Sequence, residues 1–224
     1  MKIFLDTATI AEIGWAAGAR LIDGVTTDPT LVSRAAEGRD PREVLAEICA
    51  AVDGPVAVQV IAVDAEGMYR EGKDLARLAE NVVVRIPLIE DGLSAARRLS
   101  ADGVPVDVTL VFSALQGLLA AKAGAAYVSP FVGRLDDVGH DGMEVVAQLR
   151  AVFDNYEIET EIVAASLRHP AHALQAALAG ADAAALPAEV LRQAMLHPLT
   201  DRGVDQFLND WSRIARQAKP EGGL

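Results

Sequence analysis

Ten polar residues sit in or just beyond stretches that are otherwise apolar: Asp6, Thr26, Asp28, Gln59, Arg85, Asp107, Thr109, Arg134, Ser166 and Arg168. A polar group buried without a partner costs about 1–3 kcal/mol, so packing alone does not account for so many of them. Asp6, Asp28 and Asp107 offer three carboxylates for proton transfer. Two carboxylates sharing a site can titrate apart, so that one acts as base and the other as acid. Arg85 adds a permanent positive charge able to stabilise an enediolate-like oxyanion; a static salt-bridge cluster is the plainer reading of the same four residues. Arg134, Arg168 and Ser166 together form a candidate cradle for one phosphate group. Ordinary ion pairs with Asp136 and Asp137 are the alternative for each arginine alone. The implied ligand is a phosphorylated small metabolite.

The histidines offer less. His169 and His172 flank the start of a helix at Pro170 with no third ligand at matching spacing, so capping or surface roles are expected and no metal site is. No strand is followed by G-x-G-x-x-G and a helix, and no cofactor is expected.

These residues lie on a regular alternation of elements. KIFLDT, GVTTDP, VAVQVI, VVVRIPL, VPVDVTLV, AYVSPFVG, EIVAASL and AAALP read as eight strands. Amphipathic segments fall between them, among them Thr9–Arg20, Pro41–Val52, Ala65–Glu80 and Ser113–Ala123. Strands alternating with helices imply a parallel sheet, and apolar runs such as the valines before Arg85 need cover on both faces. The expected fold is therefore a (β/α)8 TIM barrel forming a single domain over residues 1–224, with a doubly wound open sheet as the runner-up. Several of the polar residues fall near the C-terminal ends of the strands, where barrels build their sites.

A helix over about Ala188–Leu196 and a further C-terminal helix over about 201–217 follow the last strand. Phe207, Leu208, Trp211 and Ile214 form an apolar stripe on the latter that must cover the parent barrel or a neighbouring subunit. The final KPEGGL is expected to be mobile. The net charge of −12, spread along the chain, argues against a nucleic-acid partner. Cys49 is the single cysteine and is expected to be a buried thiol. The N-terminal MKIFLDTAT lacks the pattern of a signal peptide, and no apolar run approaches the ~18 residues of a membrane span. A cytoplasmic protein without a membrane partner is the expectation.

The motifs FLDTAT, DGVTTDPTLV, AEGM, VVVRIP, VTLVFSALQGLLAAKAGAAYVSPFVGRLDD, GHDGM, AASLRHP, AALAGAD and HPLTD run in order along the whole chain. In this the chain resembles the small-subunit transaldolases and the fructose-6-phosphate aldolases. The resemblance implies an α/β barrel, often assembled into pentamers or decamers with the C-terminal helix crossing between subunits, that acts on ketose phosphates through a lysine imine. It also implies site roles for Asp6, Thr26, Gln59, Thr109, Ser166, Arg134 and Arg168. Three positions depart from that pattern: Arg85 stands where the family carries its lysine, and Asp28 and Asp107 stand where asparagines are usual. Gln59 occurs with Phe131, a substrate-facing position on strand six, so neither of the family's usual acids is present.

A guanidinium is a poor nucleophile that stays protonated, so Arg85 cannot form an imine. No other lysine is placed to substitute: Lys2 and Lys122 belong to the opposite end of the barrel, Lys73 to an outer helix and Lys219 to the tail. The leading expectation is an enzyme that binds a phosphorylated sugar and moves protons without an imine, as an aldose–ketose isomerase, epimerase or Amadori-type rearrangement does. A transaldolase or aldolase altered or inactivated at Arg85 is the second reading, and a non-catalytic phosphosugar-binding protein the third. A metal-dependent lyase is weaker, because Arg85 would repel the cation.

Overall fold

In the computed structural model, described here for residues 1–217 with side chains through Ile214, eight parallel strands close into a barrel. They are β1 (Lys2–Asp6), β2 (Gly24–Thr26), β3 (Val56–Gln59), β4 (Val82–Pro87), β5 (Val106–Val111), β6 (Tyr127–Pro130), β7 (Glu161–Ala164) and β8 (Ala183–Leu186). Each pairs with its sequence neighbours, and β1 closes the ring against β8. The helices are α1 (Ile10–Gly18), α2 (Pro29–Ala36), α3 (Pro41–Ala50), α4 (Ala65–Leu75), α5 (Glu90–Ala101), α6 (Ala114–Lys122), α7 (Val132–Asp137), α8 (Gly142–Asn155), α9 (Pro170–Leu178), α10 (Ala188–Ala194) and α11 (Pro198–Gln217). The open-sheet alternative is therefore ruled out by the ring of pairings. KPEGGL and Lys219 lie outside the described residues.

The two-residue period of a strand sorts its side chains into two cores. Leu5, Val58, Val84, Ile86, Val108 and Ile162 face outward and are buried beneath the helices with Ile13, Ile48, Leu99, Leu149 and Phe153. Each fully buried side chain of this kind contributes roughly 1.5–3 kcal/mol. Cys49 belongs to this outer core, and burial pushes its thiol up to about 11, as fits a packing residue rather than a nucleophile. Phe4, Val163, Ala165, Ala183 and Ala185 face inward with Tyr127 and Phe131 and fill the barrel axis. The small residues of β7 and β8 leave space at the C-terminal mouth.

Local sequence explains the joints. Asp28, Asp40, Asp64, Ser113 and Asp141 cap α2, α3, α4, α6 and α8 through side-chain acceptors, and Pro follows the cap of α2 and α3. The last helix begins at Pro198 rather than near residue 201, because His197 accepts from the Leu199 N–H at 3.1 Å and Pro198 supplies helical φ. The α11 stripe does not pack on its own barrel: Phe207 is 73% and Trp211 70% exposed, with Leu208 and Ile214 also mostly uncovered. Among the described residues no helix is long and apolar enough to cross a membrane.

Candidate active site

A cavity of about 310 Å³ opens at the C-terminal mouth and is lined by Asp6, Asp28, Gln59, Arg85, Thr109, Leu110, Phe131, Arg134, Ala165, Ser166 and Ala185, with Pro29 at its edge. Strand ends supply most of this lining. Asp6 ends β1, Gln59 ends β3, and Arg85 projects inward from β4 two residues before its end. Asp28 caps α2, its Oδ1 accepting from Leu31 N–H at 2.8 Å. The volume suits a small metabolite.

The register row Gln59, Arg85, Asp107, Tyr127 runs obliquely down the barrel, from the last residue of β3 to the first of β6. Asp107 is consequently the second residue of β5 and lies one layer below the cavity, packed among Phe4, Val25, Thr26, Ala57, Val83, Tyr127 and Val163. The expected placement near a strand's C-terminal end does not hold for this residue. Its Oδ2 lies 3.0 Å from Arg85 Nε, and its Oδ1 accepts from the Ser129 hydroxyl at 2.8 Å. Both side chains of this ion pair are buried, at 5% and 3% exposure. The Nε–H does not point along the short contact, so the attraction is that of two adjacent charges rather than an aligned hydrogen bond. Among the described residues Arg85 otherwise reaches only Thr27 O at 3.5 Å and the Phe131 ring face at 5.8 Å. Burial raises the Asp107 pKa above the ordinary carboxylate value, against the lowering pull of Arg85 and the Ser129 hydroxyl. Because guanidinium does not shed its proton, Asp107 is the group that balances it.

Asp6 faces the cavity itself. Its Oδ1 accepts from Thr26 Oγ1 at 2.7 Å, which makes Thr26 a buried support for Asp6 rather than part of the cavity wall. Burial pushes the Asp6 pKa up; Arg85 and the Thr26 hydroxyl pull it down, and the Asp28 charge raises it further. Thr109 is buried, and its hydroxyl has no hydrogen-bond partner although it lines the cavity. It precedes a bulge: between the pairings Val108–Val128 and Val111–Pro130, β5 carries one residue more than β6. Leu110 takes up the extra length at φ 59°, a left-handed conformation rare for a branched side chain.

Of the phosphate-cradle candidates, Arg134 and Ser166 line the cavity and Arg168 does not. Arg134 lies over the Phe131 ring at 4.9 Å and has no carboxylate within ion-pair distance among the described residues. Arg168 instead makes a two-pronged pair with Asp137, whose pKa that contact lowers. The plain ion-pair reading therefore describes Arg168 as it stands. Ser166 is left-handed at φ 59°, and a Cβ at Gly133 would lie 2.2 Å from the Ser166 carbonyl oxygen and 2.9 Å from Arg168 Nε. Only glycine lets α7 approach this turn. His169 caps α9, and His172 sits 3.3 Å from Asp136; burial, then His169, lowers the His172 pKa. Among the described residues no three His, Cys, Asp or Glu side chains gather as a metal-ligand set.

The described lysines are elsewhere. Lys2 pairs with Glu161 at 2.7 Å where β1 and β7 begin, Lys73 pairs with Asp102 on the outer helices, and Lys122 ends α6. Sequence reasoning overlooked Ser129, the Thr27 carbonyl and Leu110. Ser129 was within reach of the two-residue period that places Tyr127 and Phe131 inside; the bulge left no mark in residue type.

A parallel eight-stranded barrel with polar side chains gathered at its C-terminal mouth defines an α/β-barrel of the enzyme type. The chain belongs to the transaldolase/fructose-6-phosphate aldolase family, whose description matches residues 3–218. It is 56% identical over 211 residues to a probable transaldolase of Methanococcus maripaludis, covering 94% of this chain and 97% of that one. It is 53% identical over 214 residues to a probable transaldolase of Aquifex aeolicus, covering 96% and 98%. Its fold is also similar to a chain of a cube-shaped, porous protein cage designed by fusing symmetric oligomeric domains, with TM-score 0.61, 15% identity, and 97% of this chain and 80% of that one covered. That likeness concerns the fold alone.

Proposed function

We propose that this chain binds a phosphorylated sugar and catalyses imine-free proton transfer, as in an aldose–ketose isomerisation, an epimerisation or an Amadori-type rearrangement. One observation carries the reading: the cavity is lined by two guanidiniums, Arg85 and Arg134, and two carboxylates, and by no amine among the described residues. Asp6, whose pKa is raised, or Asp28 takes a proton from the carbon beside the substrate carbonyl. In the isomerisation case Arg85 stabilises the resulting oxyanion, the second carboxyl carries the hydroxyl proton from one oxygen to the other, and the first returns its proton to the neighbouring carbon. Thr109 and Gln59 orient hydroxyls, Phe131 packs on the carbon chain, and Thr26 holds Asp6. Arg134 and Ser166 bind the phosphate, joined by Arg168 if the anion outcompetes Asp137. Asp107 acts through Arg85 rather than on the substrate.

The exposed α11 stripe supports assembly with further copies of the chain, as a pentamer or decamer, which light scattering of the purified protein tests directly. The catalytic reading is tested by incubation with ketose and aldose phosphates in heavy water, following carbon-bound deuterium by NMR. Exchange that is lost in Asp6→Asn or Asp28→Asn supports it. Bound ligand without exchange sinks it. The high identity to probable transaldolases favours a second reading, carbon–carbon bond transfer altered or disabled at Arg85; ketose phosphate cleavage by the unmodified chain would establish that one.

A further inference from the structure

The charges around the cavity do not suit a neutral sugar carrying a phosphate. Asp6 and Asp28 line one part of the wall and Arg134 with Ser166 another. The charge of Arg85 is shared between Asp6 and Asp107, the latter 3.0 Å from it in the layer below. Three carboxylates thus face two guanidiniums, and Arg168 is held by Asp137. A phosphate dianion added to this set leaves the site strongly negative. A low-dielectric cavity penalises such an imbalance unless the ligand brings a compensating charge.

We propose that the substrate carries an ammonium group as well as a phosphate, a phosphorylated aminosugar, with the ammonium against Asp6 and Asp28 and the phosphate at Arg134 and Ser166. This rests on the phosphosugar reading above and narrows it. Neither carboxylate has an ion-pair partner within 4 Å among the described residues. Asp6 uses Oδ1 on Thr26 and Asp28 uses Oδ1 on Leu31 N–H, and among the described residues no hydrogen bond occupies either Oδ2. Independently, the buried Thr109 hydroxyl lines the same cavity with no hydrogen-bond partner among the described residues, so it can pair with a polar ligand there. An ammonium has three rotatable donors and no acceptor, which matches a wall of free carboxylate oxygens; a sugar hydroxyl must spend one side on accepting. The expectation that Arg85 repels cations is weakened by the Asp107 pairing. Burial and the Asp28 charge both raise the Asp6 pKa, and a cation between them relieves that repulsion.

Isothermal titration near neutral pH at physiological ionic strength tests this with glucosamine 6-phosphate, glucose 6-phosphate, N-acetylglucosamine 6-phosphate and inorganic phosphate. The amine is expected to bind about ten- to a hundredfold more tightly than the hydroxyl and N-acetyl analogues. Asp28→Asn keeps a good helix cap, so it should fold; it is expected to remove most of that preference while inorganic phosphate affinity is kept or increased, since a negative charge leaves the cavity. Asp6→Asn is the second variant and should act in the same direction. Equal affinity for the amine and hydroxyl sugars, or a preference that persists in both variants, overturns the inference and leaves the phosphosugar reading standing. Failure of all four probes to bind overturns the phosphosugar reading and this inference with it.

Discussion

Removing the carboxylate beneath Arg85 should cost the barrel far more than an average substitution. Asp107→Asn keeps the shape of the side chain but strands a guanidinium that is 5% exposed, with one long hydrogen bond to Thr27 O at 3.5 Å and a ring face 5.8 Å away. Breaking a buried ion pair from one side typically costs about 3–5 kcal/mol, because the remaining charge is uncompensated. For a chain of this length each kcal/mol lowers Tm by roughly 2–4 °C, so a fall of about 6–20 °C is expected. Differential scanning calorimetry at fixed protein concentration measures it, concentration being held because assembly would shift Tm. The double replacement Arg85→Met with Asp107→Leu should recover most of the loss, since apolar residues of similar volume often replace a buried pair without penalty. A drop below about 1 kcal/mol for Asp107→Asn, or a double variant no better than the single, would refute the assignment of Asp107 as the charge that makes Arg85 tolerable.

Further outcomes follow from the same geometry. Arg85→Lys alone should give little borohydride-trappable adduct with a ketose phosphate, because Asp107 would hold the new amine protonated; Arg85→Lys with Asp107→Asn should give at least about tenfold more by intact mass. The Asp6 pKa is raised above the ordinary 3.8, so its stabilising contribution is complete below that pH and is lost as pH rises through the folded value. Asp6→Asn should accordingly gain stability relative to the parent as pH is raised from that point, and then level off; urea titrations across pH check the sign. Gly133→Ala would put a methyl 2.2 Å from the Ser166 carbonyl, and should cost about 1–3 kcal/mol while weakening inorganic phosphate binding at least about tenfold.

Seven of the strand runs were legible because they carry β-branched residues between turn signals, and the eighth, AAALP, as a short apolar run; all eight survive within a few residues of their expected ends. The polar positions were legible for the same reason, since Asp6, Gln59 and Arg85 interrupt apolar runs. Depth was not. Asp107 and Thr109 are two residues apart on the same face, yet one lies below the cavity and the other lines it, a distinction set by the stagger between strands. Nor could spacing reveal that Asp137 rather than Asp136 would take Arg168, or that β5 carries its extra residue at Leu110, because side-chain reach and bulge geometry depend on neighbours distant in sequence. The α11 stripe was readable as a stripe, but periodicity says only that an apolar face exists and not which surface covers it.

The pairing of Arg85 with Asp107 also bears on how this chain can change over generations. Starting from the present pair, a single substitution to lysine leaves an amine beside a buried acid, and a single substitution to asparagine leaves a guanidinium without its paired carboxylate. Either intermediate is handicapped before any new chemistry is gained. The two positions therefore constrain each other: a change to an amine-bearing barrel takes two coordinated substitutions, and neither alone is a neutral step.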